Sequence, residues 1–252
     1  MSFDVAAEAY DRFMGSYSRL LSPQLADLAG VRRGQRVLDV GCGPGALTAE
    51  LVDRLGAEAV SAIDPSEPFV AAVRARHPGV DVRRGSAEEL PFADGTFDVA
   101  LAQLVVHFMT DPVAGLAEMA RVTAAGGTIA ACVWDHGGGN GPHSIFWEAA
   151  RELDPGVFDQ SQLAGARQGH LAELFERAGL RDISETSLSA DLEHASFEEW
   201  WRPFELGVGP AGAHVAGLPA DERAELREAC RRRVSSEPFV ITARAWTARG
   251  KV

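Results

Sequence analysis

The chain has 252 residues, 46% hydrophobic and 24% charged, a make-up that supports a globular core in one large domain or two small ones. Its formal net charge of −12 argues against a nucleic-acid partner, because a phosphate backbone asks for a basic face and the run Arg231-Arg232-Arg233 reads as a solvated helix end. No apolar run of about 18 residues is available to span a membrane, Met1-Ser2-Phe3-Asp4 lacks a secretion pattern so that the cytoplasm is the expected compartment, and Cys42, Cys132 and Cys230 are spaced for neither a metal nor a disulfide frame.

Residues 4–14 favour a helix, and Ser22-Pro23 reads as the N-cap and first position of a second one reaching Ala29. The apolar run 37–40 predicts a buried strand. It breaks into Gly41-Cys42-Gly43-Pro44-Gly45 and re-enters helical spacing through Ala46, Leu47, Leu51, Val52 and Leu55, with Gly56 as the stop. Residues 60–63 predict a second strand ending at Asp64-Pro65-Ser66, where Ser66 is expected to cap a helix carrying Phe69, Val70 and Val73. A third strand is expected at 80–82 and a fourth at 97–102, the latter buried on both faces. Asp111-Pro112 opens a helix through Leu116, Met119 and Val122, Ala125-Gly126-Gly127 closes it, and 128–134 forms a fifth strand.

This alternation predicts a parallel sheet with helices on both faces. The rhythm then changes. Residues 136–142 are glycine-rich and are expected to form a mobile loop. Helices are expected at 144–153 and 169–177, a strand at 183–192, a mostly helical stretch at 196–234 and a last strand at 239–246. The expected fold is one α/β domain, a doubly wound, seven-stranded, mostly parallel sheet. Its core lies at about 30–135, 169–195 and 237–249, with N-terminal helices at 4–29. Helical cap inserts at about 136–168 and 196–236 are placed by topology over the carboxyl edge.

A strand turning through glycines into a helix exposes backbone to a ligand and aims a helix N-terminus at it. Gly41-x-Gly43-x-x-Ala46 fits a dinucleotide fingerprint loosely, and such turns also occur for structural reasons, so the turn alone does not choose. Asp64, at the end of the second strand, stands where nucleotide sites place a carboxylate for ribose hydroxyls; the competing role is that of a helix cap, which Ser66 can supply.

Together with Gly85-Ser86-Ala87-Glu88-Glu89-Leu90-Pro91-Phe92, Asp94-Gly95-Thr96-Phe97-Asp98 and the Ala125-Gly126-Gly127 entry to the fifth strand, these segments closely resemble the class I S-adenosylmethionine-dependent methyltransferases, in the subgroup of small-molecule and quinone-biosynthesis enzymes. The resemblance covers roughly residues 34–135. It implies an antiparallel last strand, with S-adenosyl-L-methionine as cofactor and S-adenosyl-L-homocysteine as product. It also implies Gly41 and Gly43 under the methionine portion, Asp39 ordering the turn and the ammonium, and Asp64 on the ribose. Pro65 is implied beside the adenine, Ser86 and Ala87 at its edge, and the Gln103 carbonyl toward the ammonium. Many relatives carry Asp where this chain has Ser86, so that contact is implied to be weaker or indirect. In similar enzymes an N-terminal helix folds over the cofactor, which makes Tyr10 and Arg19 candidates for its carboxylate; amphipathic packing explains the same residues.

The implied reaction is in-line displacement of a methyl group onto a small-molecule acceptor, in which holding the nucleophile does most of the work. A base is needed only for a protonated nucleophile, and His107, just beyond the fourth strand, is the candidate for it. His136 and His143 flank the glycine loop, which with the inserts is expected to act as a lid. Trp134, Phe146, Trp147, Trp200 and Trp201 either wall a pocket or pack the core. An NAD(P)-dependent oxidoreductase would share the glycine turn and Asp64 but not the Ser86-Ala87-Glu88 segment. A non-catalytic cofactor-binding module stays compatible with the sequence.

Overall fold

The computed structural model describes residues 14–252 except 159, 208 and 235. The helix expected at 4–14, and Tyr10 within it, lies outside the described residues apart from Met14.

The first described helix, α1 (Ser16–Ala29), is continuous through the point where a second helix was expected to begin. Pro23 lies inside it, and the Ser22 hydroxyl donates back to the Ser18 carbonyl at 2.8 Å instead of capping. The reason is burial. Tyr17, Leu21, Leu25, Ala26 and Ala29 form one uninterrupted apolar face at helical spacing, whose burial outweighs the backbone bond that proline removes.

Seven strands build one sheet: β1 (Val37–Val40), β2 (Val60–Asp64), β3 (Asp81–Arg84), β4 (Phe97–Gln103), β5 (Thr123–Trp134), β6 (Arg181–His194) and β7 (Phe239–Lys251). Their order is β3-β2-β1-β4-β5-β7-β6. β1 to β5 pair in parallel, while β7 runs antiparallel to both β5 and β6. Helices α2 (Ala46–Leu55), α3 (Glu67–Arg76) and α4 (Pro112–Val122) follow β1, β2 and β4. Asp111 caps α4 by accepting the Val113 and Ala114 N–H groups.

Alternating residues of the central strands sort onto two cores. Val99 and Leu101 join Ala130, Cys132 and Trp134 beneath α1, while Ala100 and Ala102 join Ile129, Ala131 and Val133 on the opposite face. The doubly wound, mostly parallel architecture is therefore as expected.

Two boundaries differ most. β5 starts at Thr123 and takes Ala125-Gly126-Gly127 into the strand, and β7 runs on to Lys251. The β5 extension pairs Thr123 with Phe97 of β4 and its Gly126 N–H with the Val252 carbonyl, and the β7 extension is paired on both sides. Lys251 pairs with Thr128 on one side and Arg181 on the other, and its ammonium donates to the Thr128 hydroxyl at 2.8 Å.

Between β5 and β6 lie α5 (Ser144–Leu153) and α6 (His170–Arg177). Between β6 and β7 lie α7 (Phe197–Trp201), α8 (Gly209–Gly217) and α9 (Ala220–Arg233). The insert is knotted to α5 by aromatic packing, with Phe146 stacked on Phe204 at 4.8 Å and Trp201 buried beside them.

Candidate active site

The strand order reverses between β2-β1 and β4, and the glycine turn leaves β1 at that point, where open α/β sheets place their ligands. The Gly41 and Cys42 N–H groups both donate to the Ile63 carbonyl, at 2.8 and 3.0 Å. Gly41 (φ +70°) has no room for a side chain, since a Cβ there would stand 2.1 Å from Val105 Cγ2. Gly43 (φ +52°) is its opposite, for a Cβ would meet nothing within 4 Å. The turn is thus packed from behind at Gly41 and open in front at Gly43.

Two carboxylates brace it. Asp64 Oδ2 accepts the Gly43 N–H and Oδ1 accepts the Ser66 N–H, each at 2.8 Å. Ser66 occupies the N-cap of α3 without the side-chain capping bond expected of it, and Asp64 accepts the N–H at that position. Burial raises the Asp64 carboxyl above its ordinary range, against the lowering effect of those two N–H groups. Asp39 is fully buried, and its Oδ2 accepts the Thr48 hydroxyl at 2.7 Å. Burial pushes its pKa up to about 7, with the Thr48 bond opposing and the Asp64 charge adding.

Asp39 Oδ1 is buried without a partner. So is Gln103 Oε1, whose own Nε2 donates to the Ser18 carbonyl at 3.1 Å. Asp39, Gln103, Gly41, Gly43, Ser18 and Leu104 line one cavity of about 40 Å³. Two orphaned acceptors at one cavity are costly unless a donor reaches them, and a protonated amine would satisfy both. The residues present therefore fit the ammonium end of an amino-acid-bearing cofactor.

The other expected cofactor residues are spread more widely. Pro65 is exposed at the end of β2, its carbonyl accepting Arg84 Nε at 3.1 Å. Ser86 is exposed after β3, and Ala87 is half-buried near Met109. These three share the carboxyl edge with Asp64 but are not walls of the small cavity. Arg19 is not brought to it: the side chain is exposed on α1 and donates to Ser16 Oγ at 3.3 Å. The helical phase is the reason, since Ser18 faces the cavity and the next residue turns about 100° away.

Leu104 separates this cavity from a second one. It adopts φ +61°, a left-handed conformation that a non-glycine residue rarely holds outside functional sites. The second cavity, about 50 Å³, is walled by Leu104, His107, Phe108, Trp134, His136 and His143 among others. His107 is half-buried, its Nδ1 atom is buried and unpartnered, and its ring lies 6.0 Å from the His136 ring. Burial is the main cause that lowers the His107 pKa to about 3, His136 to about 4 and His143 to about 3, so all three imidazoles are neutral at pH 7. Of the candidate wall aromatics, Trp134 faces this cavity, Trp200 lines the adjoining groove, and Phe146 and Trp201 belong to the packed core.

The glycine loop is not a loose lid. Asp135 Oδ1 accepts the Gly138 N–H at 2.8 Å and Oδ2 accepts Asn140 Nδ2 at 2.7 Å, while the Asn140 carbonyl accepts the Arg244 N–H at 2.8 Å. Glycine content marked a flexible chain, but the buried carboxylate just before it pins the turn.

Ser18, Thr48 and Leu104 escaped sequence reasoning. Thr48 was legible as an inward position of α2, whereas nothing local marks the other two. The Tyr17 hydroxyl and His194 Nε2, 3.2 Å apart and buried, join α1 to the end of β6 with no signal in the sequence. Among the described residues, no helix is long and apolar enough to cross a membrane and no group of three or more metal-binding side chains is gathered.

Residues 38–131 match the profile of a methyltransferase domain. The chain is 36% identical over 128 residues to a malonyl-(acyl-carrier protein) O-methyltransferase of Erwinia billingiae, covering 51% of this chain and 50% of that one. It is 39% identical over 131 residues to a demethylmenaquinone methyltransferase of Beutenbergia cavernae, covering 50% and 54% respectively. It thus spans about half the length of the curated relatives it matches. Its fold is similar to that of a crystallised S-adenosylmethionine-dependent methyltransferase of Thermotoga maritima, with a TM-score of 0.59 and 20% identity over 99% of this chain and 97% of the other. The glycine turn, Asp39 and Asp64 all lie within the residues that match the methyltransferase domain profile.

Proposed function

We propose that the whole chain is an enzyme that transfers the methyl group of S-adenosyl-L-methionine to a small-molecule acceptor, with the cytoplasm as its compartment. The observation that carries this reading is the pair of unpartnered buried acceptors, Asp39 Oδ1 and Gln103 Oε1, at one cavity under the glycine turn. Asp39, fixed by Thr48, and Gln103, fixed by the Ser18 carbonyl, would receive the cofactor's ammonium; Asp64 would turn to the ribose, and Pro65, Ser86 and Ala87 would border the adenine.

Bound there, the cofactor supplies a methyl group made electrophilic by its sulfonium. The chain's own residues have the remaining tasks of binding, orienting and excluding water. Leu104 borders both cavities, so an acceptor held in the imidazole-lined one faces the cofactor cleft across that residue. His107 is neutral at pH 7 and can accept a hydrogen bond, but a pKa near 3 makes it a poor proton store. Its role in this reading is to position the nucleophile rather than to act as a strong base.

Calorimetry with S-adenosylhomocysteine tests the reading directly. One-to-one binding that falls at least tenfold in Asp39→Ala supports it, and NAD(P) binding in its place would overturn it.

A further inference from the structure

Thr48 stands in the first turn of α2 and is fully buried, so its hydroxyl proton needs an acceptor. A helical threonine ordinarily donates to the carbonyl four residues back. Here that carbonyl belongs to Pro44, and it is already engaged by Arg76 Nη1 from α3 at 2.9 Å. The Thr48 hydroxyl donates instead across to β1, to Asp39 Oδ2 at 2.7 Å. The Thr48 backbone N–H also favours the ionised form of Asp39.

This contact divides the two carboxyl oxygens. Oδ2 is committed to Thr48, and Oδ1 is left buried and unpartnered at the cavity where Gln103 Oε1 is unpartnered too. The Gln103 amide is held with Oε1 free because its Nε2 donates to the Ser18 carbonyl. Two other titratable groups bear on Asp39: Cys42 lines the same cavity, and Asp64 on the neighbouring β2 adds its charge. Burial and the two carboxylates keep the Cys42 thiol neutral. α1 and β4 present Ser18 and Gln103 to the cavity, and neither side chain titrates near neutrality. The proton that Asp39 takes up below neutrality therefore belongs on Oδ1, in the place where a ligand ammonium would stand.

We propose that Thr48 is the positioning residue of the ammonium subsite: by holding Oδ2 it presents Asp39 Oδ1, at the cavity of Gln103 Oε1, as the atom that exchanges a proton for the cofactor's ammonium. The proposal rests on the methyltransferase reading and adds a residue that acts on the cofactor only through Asp39. In the exchange the Oδ1–H bond breaks and its proton passes to the solvent, while N–H groups of the ammonium donate to Oδ1 and to Gln103 Oε1. The carboxylate forms only as a compensating charge arrives, so the buried site avoids the cost of an unpaired ion.

The test is calorimetry on the full chain from pH 6 to pH 9 with S-adenosylhomocysteine and with 5′-methylthioadenosine, which has the nucleoside but no ammonium. Thr48→Val keeps the shape of the side chain and removes the O–H donor. The midpoint of its S-adenosylhomocysteine profile is expected to rise by about one pH unit, the effect of one hydrogen bond on a charged group. Relative to the wild type, binding should then be about fivefold weaker at pH 7 and nearly equal at pH 9. Thr48→Ser keeps the donor and should follow the wild-type profile. 5′-Methylthioadenosine should bind Thr48→Val and the wild type alike at every pH. Wild-type titrations at pH 6 in buffers of different ionisation enthalpy should count about one proton released per S-adenosylhomocysteine and none per 5′-methylthioadenosine. Thr48→Ala, which cannot overpack the site, gives the same reading if valine prevents folding.

A midpoint that stays in place overturns the proposal, and so does a loss equal for both probes or equal at every pH, which is what a purely structural threonine would give. Those outcomes with S-adenosylhomocysteine still bound by the wild type leave the methyltransferase reading standing, whereas a wild-type chain that does not bind it overturns both.

Discussion

The Asp64 carboxylate on β2 closes the turn that follows β1, its Oδ2 accepting the Gly43 N–H at 2.8 Å. A residue expected on grounds of ligand binding is thereby also a structural brace between neighbouring strands. Removing it should cost both. Asp64→Ala is expected to lose about 1–3 kcal/mol of stability, because two backbone donors are left without an acceptor, and to weaken S-adenosylhomocysteine at least tenfold. Denaturant unfolding and calorimetry measure the two effects separately. A destabilised variant with unchanged affinity would leave Asp64 as a brace alone.

Gly41 and Gly43 share a left-handed backbone but should fail differently on substitution. In Gly41→Ala the new methyl meets Val105 at 2.1 Å, so overpacking and strain together should cost about 2–4 kcal/mol. In Gly43→Ala the methyl enters open space, and only about 1 kcal/mol of backbone strain is expected. On the proposed reading that open space is the ligand's side of the turn, so Gly43→Ala should instead lose cofactor affinity. Thermal unfolding beside calorimetry separates the pair, and identical profiles for the two variants would refute the distinction.

If Asp39 receives the cofactor's ammonium as proposed, cofactor binding should depend on pH. Its folded pKa is raised to about 7, so its contribution to stability is complete below the ordinary carboxylate range and is lost as pH rises through about 7. A ligand ammonium reverses the preference by favouring the ionised carboxylate. Affinity for S-adenosylhomocysteine should accordingly rise about tenfold from pH 6 to pH 8, in step with the ionised fraction of one group of pKa 7. Asp39→Asn should flatten that profile. An Asn variant that keeps the slope assigns it to another group.

Asp135 is the anchor of the glycine loop. Asp135→Ala leaves the Gly138 N–H and the Asn140 amide without their acceptor and should cost about 2 kcal/mol. Amide exchange at residues 137–140 should quicken, and acceptor probes should bind more weakly, because His136 and Pro142 are carried by the same loop. Cofactor affinity should change little. Exchange as slow as in the wild type would show that the remaining backbone bonds suffice to hold the loop.

What the sequence by itself determined was local. The strand period, the apolar run into three glycines and Asp64 at the next strand end are short-range patterns, and each specifies its own backbone through burial or through a conformation that glycine alone takes easily. The parallel alternation and the glycine turn follow from them. The tertiary structure decided whatever depends on partners far apart in the chain. It ran α1 through Pro23 by burying a continuous face, and carried β7 to Lys251 by pairing it on both sides. It also set Gln103 against Ser18, 85 residues away, and turned a glycine-rich loop into a pinned wall. The imidazole cavity belongs to this second kind. His107, His136 and His143 carry no common motif, and only the packing of β4, β5 and the insert brings them to one space and strips them of water.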